Sequence, residues 1–170
     1  MKMDRLDTPH LRKYLIGEHS SKVPETSGEI DIPRHAVLAY SSEDPRHPLE
    51  HLIDGSCGAG GTHWASARPN ATERIVLEFD HPQRISRLVY EVEEGCHPRT
   101  QQVRVEVSAD GGSTYRQVLA QDYTFSPQGA TFQHEDLRLE LPAITHLRLT
   151  VVPNKDGSGV ATLTCLRLFA

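Results

Sequence analysis

Short runs in which apolar and polar residues strictly alternate constrain this chain more than any other feature. Along Ile75–Phe79, the residues Ile75, Leu77 and Phe79 share one side. Val103–Val107, Leu137–Leu141 and Leu147–Val151 repeat the pattern. Side chains on an extended backbone point alternately to opposite faces, so a period of two gives one buried and one solvated face. Further strands are expected at Ala36–Tyr40, Ile85–Val92, Tyr115–Ala120 and Leu163–Phe169. Together they make about eight strands, the number of a jelly-roll sandwich. No segment of crossover-helix length separates them, which excludes a parallel α/β sheet. The expected fold is all-β, an antiparallel β-sandwich. Val76 and Leu163 fall opposite their strands' main apolar rows, so the outer faces are not uniformly polar.

The first 34 residues read differently, and the chain divides into 1–34 and 35–170. Thr8 would cap a short helix, Pro9 would occupy its first position and Gly17 would end it, with Leu11, Tyr14 and Leu15 on one face. Ser20 to Glu29 is rich in Ser, Pro, Gly and Glu and reads as a connector. Pro48–Leu52 predicts a single helical turn. The formal charge of -5 argues against a non-specific grip on nucleic acid, which needs clustered Lys and Arg. No apolar stretch reaches membrane-spanning length and no secretory leader is legible, so no membrane partner is expected. Cys57, Cys96 and Cys165 form an odd, sparse set without C-x-x-C spacing, which fits a reducing compartment. The expectation is a cytoplasmic protein in which Cys165 is a buried, inert thiol.

Little in the chain suggests bond-breaking chemistry. There is no G-x-S-x-G turn, and the cysteines have no legible base. Glu93-Glu94 and Glu135-Asp136 are adjacent pairs that diverge on a strand rather than forming an acid–base couple. Gly58-Ala59-Gly60-Gly61 precedes a strand, so it lacks the helix N-terminus that cradles phosphate. His47, His51, Cys57 and His63 invite a zinc reading, but structural zinc needs four converging ligands and this spacing guarantees none. Trp64 is assigned to packing between sheets, where its indole N–H needs a partner.

Ser41 to Pro48, Ile53-Asp54-Gly55, Thr62-His63-Trp64-Ala65-Ser66 and Val107-Ser108-Ala109-Asp110-Gly111-Gly112 occur in series. This order resembles the discoidin, or coagulation-factor type C, family of galactose-binding-like domains, over about residues 36–170. The resemblance implies a binding module for glycans, lipids or proteins and no catalysis. It implies a structural calcium held by Asp54, Thr62, nearby carbonyls and a Glu of the last strand. Cys165 stands at that Glu position, and a thiol is a poor ligand for a hard cation that wants six to eight oxygens. Asp54 would otherwise simply cap a turn.

The resemblance also places the ligand on loops at one end, which here carry His47, Arg68, Asn70, His97 and Arg99. These supply donors and acceptors for sugar hydroxyls. An apolar face for the ring is missing from them, and only Tyr123–Pro127 holds aromatics nearby. The reading taken forward is a carbohydrate-binding-like module, recognising a carbohydrate or another small polar ligand. The competing reading is a protein-interaction adaptor without a sugar ligand, as in members of the superfamily that serve ciliary transport and DNA repair.

Overall fold

The structure, a computed structural model, describes residues 10–16 and 28–170. Eight strands dominate it: β1 Lys13–Leu15, β2 Ala36–Tyr40, β3 Trp64–Ala65, β4 Glu73–Glu93, β5 Arg99–Ser108, β6 Arg116–Phe125, β7 Phe132–Val152 and β8 Thr162–Phe169. A four-residue helix, α1, spans Ile32–His35, and a single 3-10 turn spans Leu49–Leu52.

The two 21-residue strands organise everything else. The first part of β4 lies between β2 and the last part of β7, which passes on to β5 and then β6. The last part of β4 lies between the first part of β7 and β8, and β8 pairs with β3. Between Glu78 and Arg87 the β4–β7 register shifts three times. Such irregularities bend a strand, so both long strands pass from one layer to the other. The separate strands expected at Ile75–Phe79 and Ile85–Val92 are thus one bent strand, as are Leu137–Leu141 and Leu147–Val151.

One hydrophobic cluster fills the interior, with Leu38, Ile75, Leu77, Val105 and Leu149 from one layer and Leu88, Tyr90, Val92 and Leu163 from the other. Fully burying such a side chain is worth about 1.5–3 kcal/mol each, which makes this cluster the main stabilising element. Trp64 is completely buried, and its Nε1–H donates to the Ser42 carbonyl at 3.2 Å. Val76 and Leu163 are buried too.

The N-terminal segment corrects an expectation. Where the sequence predicts a helix, Lys13–Leu15 forms a strand parallel to β2, with Lys13 opposite Leu38 and Leu15 opposite Tyr40. The Leu38 N–H donates to the Arg12 carbonyl at 2.8 Å, and the Ile16 N–H to the Tyr40 carbonyl at 3.1 Å. Side chains reinforce the pairing: Arg12 meets Asp80, Tyr14 donates to Glu78, and Lys13 lies 2.8 Å from Glu43 and 2.6 Å from Glu50. An isolated helix of about two turns is marginal in water, whereas an open sheet edge offers ready backbone partners. Thr8, Pro9 and Gly17, which carried the helix expectation, lie outside the described residues. Of the connector, Gly28 and Glu29 are described: the Gly28 carbonyl accepts the Ala170 N–H at 2.8 Å, and Glu29 bridges to Phe169.

Candidate functional site: loops at one end of the sandwich

Segments 41–48, 56–70, 93–99 and 153–161 meet at one end. The short strand β3 holds the first of them. The Asp44 N–H donates to the Ala65 carbonyl at 2.8 Å, and the Ala65 N–H to the His47 carbonyl at 3.0 Å. His47 is thereby fixed, half-buried, with its ring stacked on His63 (4.2 Å between centroids, 16° between planes). His51 stands edge-on to His47 at 6.3 Å. Its Nδ1 lies 3.1 Å from the His63 carbonyl, which can only accept, so Nδ1 carries the proton. Burial, and secondarily the neighbouring His47 and His51, lower the pKa of His63, favouring the neutral ring.

Arg68 follows β3. Its Nε and Nη2 each donate at 3.2 Å to the carboxylate of Glu73, which is fully buried and also accepts from the Ser41 hydroxyl. The Arg68 side chain itself is 57% exposed. Among the described residues no acceptor engages Nη1, so a guanidinium pre-oriented by a buried acid turns its remaining donors outward.

Asn70 has a different task. At φ 60° it takes a left-handed conformation. Its N–H donates to the Gly159 carbonyl, and its Oδ1 accepts the Gly159 N–H, both at 2.8 Å. This clasp joins the 66–72 and 153–160 loops and occupies the amide oxygen. Val160, next to the clasp, is one of three exposed large hydrophobic residues among those described.

His97 is exposed, with its backbone N–H donating to Glu94 at 3.1 Å. Arg99 is buried. Nη1 donates to the carbonyls of Pro153 and Val160 at 3.0 and 2.6 Å, and Nη2 to the Thr162 hydroxyl at 2.8 Å. Nε lies 3.0 Å from Glu94, close enough for charge attraction but without hydrogen-bond alignment. Desolvation lowers the Arg99 pKa, and Glu94 partly opposes this. Arg99 therefore braces the 153–161 loop from inside, whereas His47, Arg68 and His97 reach the surface. Tyr123 and Phe125 are both buried, so they offer no face to a ligand. Sequence reasoning missed His63 and Val160 as parts of this surface. The spacing of His63 from Trp64 is visible in the sequence, but its stacking on His47 is not.

The calcium positions can be tested on their contacts. Asp54 accepts the Ser56 N–H at 2.9 Å and the Thr62 hydroxyl at 2.5 Å, which is turn capping. Cys165 is not a free thiol: it forms a disulfide with Cys57, 108 residues away, and Cys96 remains free and exposed. The sparse cysteine count hid this pair because it bridges a loop and the last strand. Glu91, beside the disulfide, accepts the Gly58 N–H at 2.8 Å, and Glu93 accepts the Gly60 N–H at 3.0 Å. These carboxylates are committed to amides, so the residues present do not fit a hard cation. Among the described residues, Cys57, Glu91 and Cys165 are the one group close enough to share a metal, and two of them are bonded to each other.

A cavity of ≈ 670 Å³ lies elsewhere, among residues 10–11 ahead of β1, the 29–33 segment that enters α1, and the 53–54 turn. Four carboxylates line it, namely Glu29, Asp31, Glu50 and Asp54, together with apolar Leu11, Ile30 and Leu166. Size alone does not make it the site.

Comparison with known proteins gives a consistent family and fold. The sequence profile of the F5/8 type C domain matches residues 37–166. No curated protein matches in sequence. Among solved structures, the chain is similar to CBM32-3 from a family 31 glycoside hydrolase of Clostridium perfringens (TM-score 0.61, 17% identity, 84% of this chain and 94% of that one). It is also similar to the family 32 module of C. perfringens NanJ in complex with galactose (TM-score 0.56, 12% identity, 79% and 93%). A third is the CBM32-1 and CBM32-2 pair of C. perfringens ZmpB in complex with GalNAc (TM-score 0.59, 16% identity), where the match covers 83% of this chain and 35% of that one. At these identities the likeness establishes the fold.

Proposed function

Because the chain belongs to the F5/8 type C domain family, we propose that it is a non-catalytic, carbohydrate-binding-like module that takes its ligand at the loop end. The observation that carries this reading is Arg68. A buried carboxylate orients its guanidinium, and its outward N–H groups are left for the hydroxyls of a sugar or another small polar ligand. The His47–His63 stack adds flat surface and Val160 a patch of apolar contact, which together supply what the loops lack in aromatic residues. His97 contributes a further polar edge. Asn70 and Arg99 serve the site by holding its loops in place. Solved relatives described as complexes with galactose and GalNAc support the ligand class.

The adaptor reading needs a contiguous apolar surface. Apart from Val160, the exposed large hydrophobic residues among those described are Leu15 and Ile16, at the β1 edge. The outer row of β5 and β7 carries Gln102, Glu106 and Arg148 instead, with Glu106 and Arg148 paired at 2.8 Å. Compartment is part of the proposal: disulfides persist where conditions are oxidising, so a cytoplasmic location requires that Cys57 and Cys165 be reduced in the cell. A glycan array run beside a pull-down tests the function. Retention on at least one sugar class, lost on Arg68→Ala, is expected. Sugar binding unchanged by both Arg68→Ala and His97→Ala would remove the site, and capture of a protein with no sugar bound would favour the adaptor.

A further inference from the structure

We infer that the Cys57–Cys165 disulfide, with Glu91 and Glu93, does in this chain what the family resemblance assigns to calcium: it holds the Asp54–Thr62 loop against the last strand. The cross-link joins that loop to β8 at a Cα separation of 5.1 Å. Two further tethers run from the loop to β4, the Gly58 N–H to Glu91 and the Gly60 N–H to Glu93. A loop wrapped around a hard cation turns its carbonyl oxygens inward. Here the loop presents amide N–H groups to carboxylates, the opposite polarity. Gly58 and Gly60, at φ 93° and 78°, take the left-handed conformations of this path, which side chains with a Cβ rarely adopt. The Thr62 carbonyl is also engaged, by the Thr164 hydroxyl. The side chain at 165 supplies a covalent bond, not an oxygen.

Order in this loop is therefore independent of calcium and dependent on thiol redox state. Reduction by a dithiol moves two electrons and two protons: the S–S bond breaks to give the Cys57 and Cys165 thiols, and the dithiol closes to its own disulfide. Because the loop runs directly into His63, the cross-link also sets the order of the His47–His63 stack.

The test uses the full chain equilibrated with oxidised glutathione. Non-reducing peptide mapping is expected to find Cys57 linked to Cys165. Thermal melts are expected to shift by nothing on adding millimolar calcium or a chelator. With dithiothreitol they are expected to fall by about 5–15 °C, the range for losing a long-range disulfide in a domain of this size. Hydrogen exchange should accelerate on reduction at Gly58–Gly61 and around Cys165, and Cys57→Ser should abolish the response to dithiothreitol. Cys57 and Cys165 recovered as separate thiols, a melt indifferent to reduction, or a calcium-induced rise in melting temperature would each overturn the inference. The hydrogen-exchange comparison on the unmutated chain decides the matter even if the variant does not fold.

Discussion

At the scale of single residues, two arginines with similar prospects in the sequence have opposite roles. Arg68 lies in the loop after β3 and Arg99 opens β5 at the same end, and both face an acid. Arg68 pairs with a fully buried Glu73 while remaining more than half exposed itself. Arg99 is enclosed: Pro153, Val160 and Thr162 take its terminal nitrogens, and Glu94 balances its charge. Replacing Arg99 by Met would leave two carbonyls without their donor and Glu94 without its countercharge. Chemical denaturation should then show a loss of about 3–5 kcal/mol, the usual cost of removing one partner from a buried charged set. His63 gives a residue-scale expectation in pH. Burial and the adjacent histidines lower its folded pKa below the ordinary 6.5. The unfolded chain therefore binds a proton first, so the contribution of His63 is fully present above pH 6.5 and is lost as pH falls towards the folded value. His63→Gln should flatten the fall in melting temperature below pH 6.5. His146, whose pKa burial also lowers, retains its share of that slope.

At the scale of elements, legibility followed the source of the stabilising interactions. Strands such as Val103–Val107 were readable because alternation is written into the residues that pack against the core. The bend that fuses Ile75–Phe79 with Ile85–Val92 was not, since His81-Pro82 reads locally as a turn and only pairing with β7 shows the strand continuing. β1 was misread for a related reason. Its conformation comes from Leu38, Glu43, Glu78 and Asp80 rather than from its own sequence. The 3-10 turn at Leu49–Leu52 and the buried Trp64 rest on local signals, and both were expected. In the candidate site, residue types were legible, but Arg99, expected in a loop, opens strand β5. Which side chains turn outward was not legible, because that depends on partners such as Glu73 and Pro153 that are distant along the chain or buried.

At the scale of the whole molecule, two layers are bent from one continuous hydrogen-bonded array, with four braced loop segments at one end. The disulfide, the Asn70–Gly159 clasp and the Arg99 brace act on different loops at that end. All three limit loop motion before any ligand arrives, and a preorganised surface loses less freedom on binding a ligand. The most direct test of this claim is amide and side-chain NMR of the labelled full chain, titrated with a panel of mono- and oligosaccharides that includes galactose and GalNAc. The account predicts saturable shifts confined to Arg68, His47, His63, His97 and the 153–160 loop. Shifts confined to the sheet faces or to the cavity beside β1, or no saturable shift with any sugar, would contradict it.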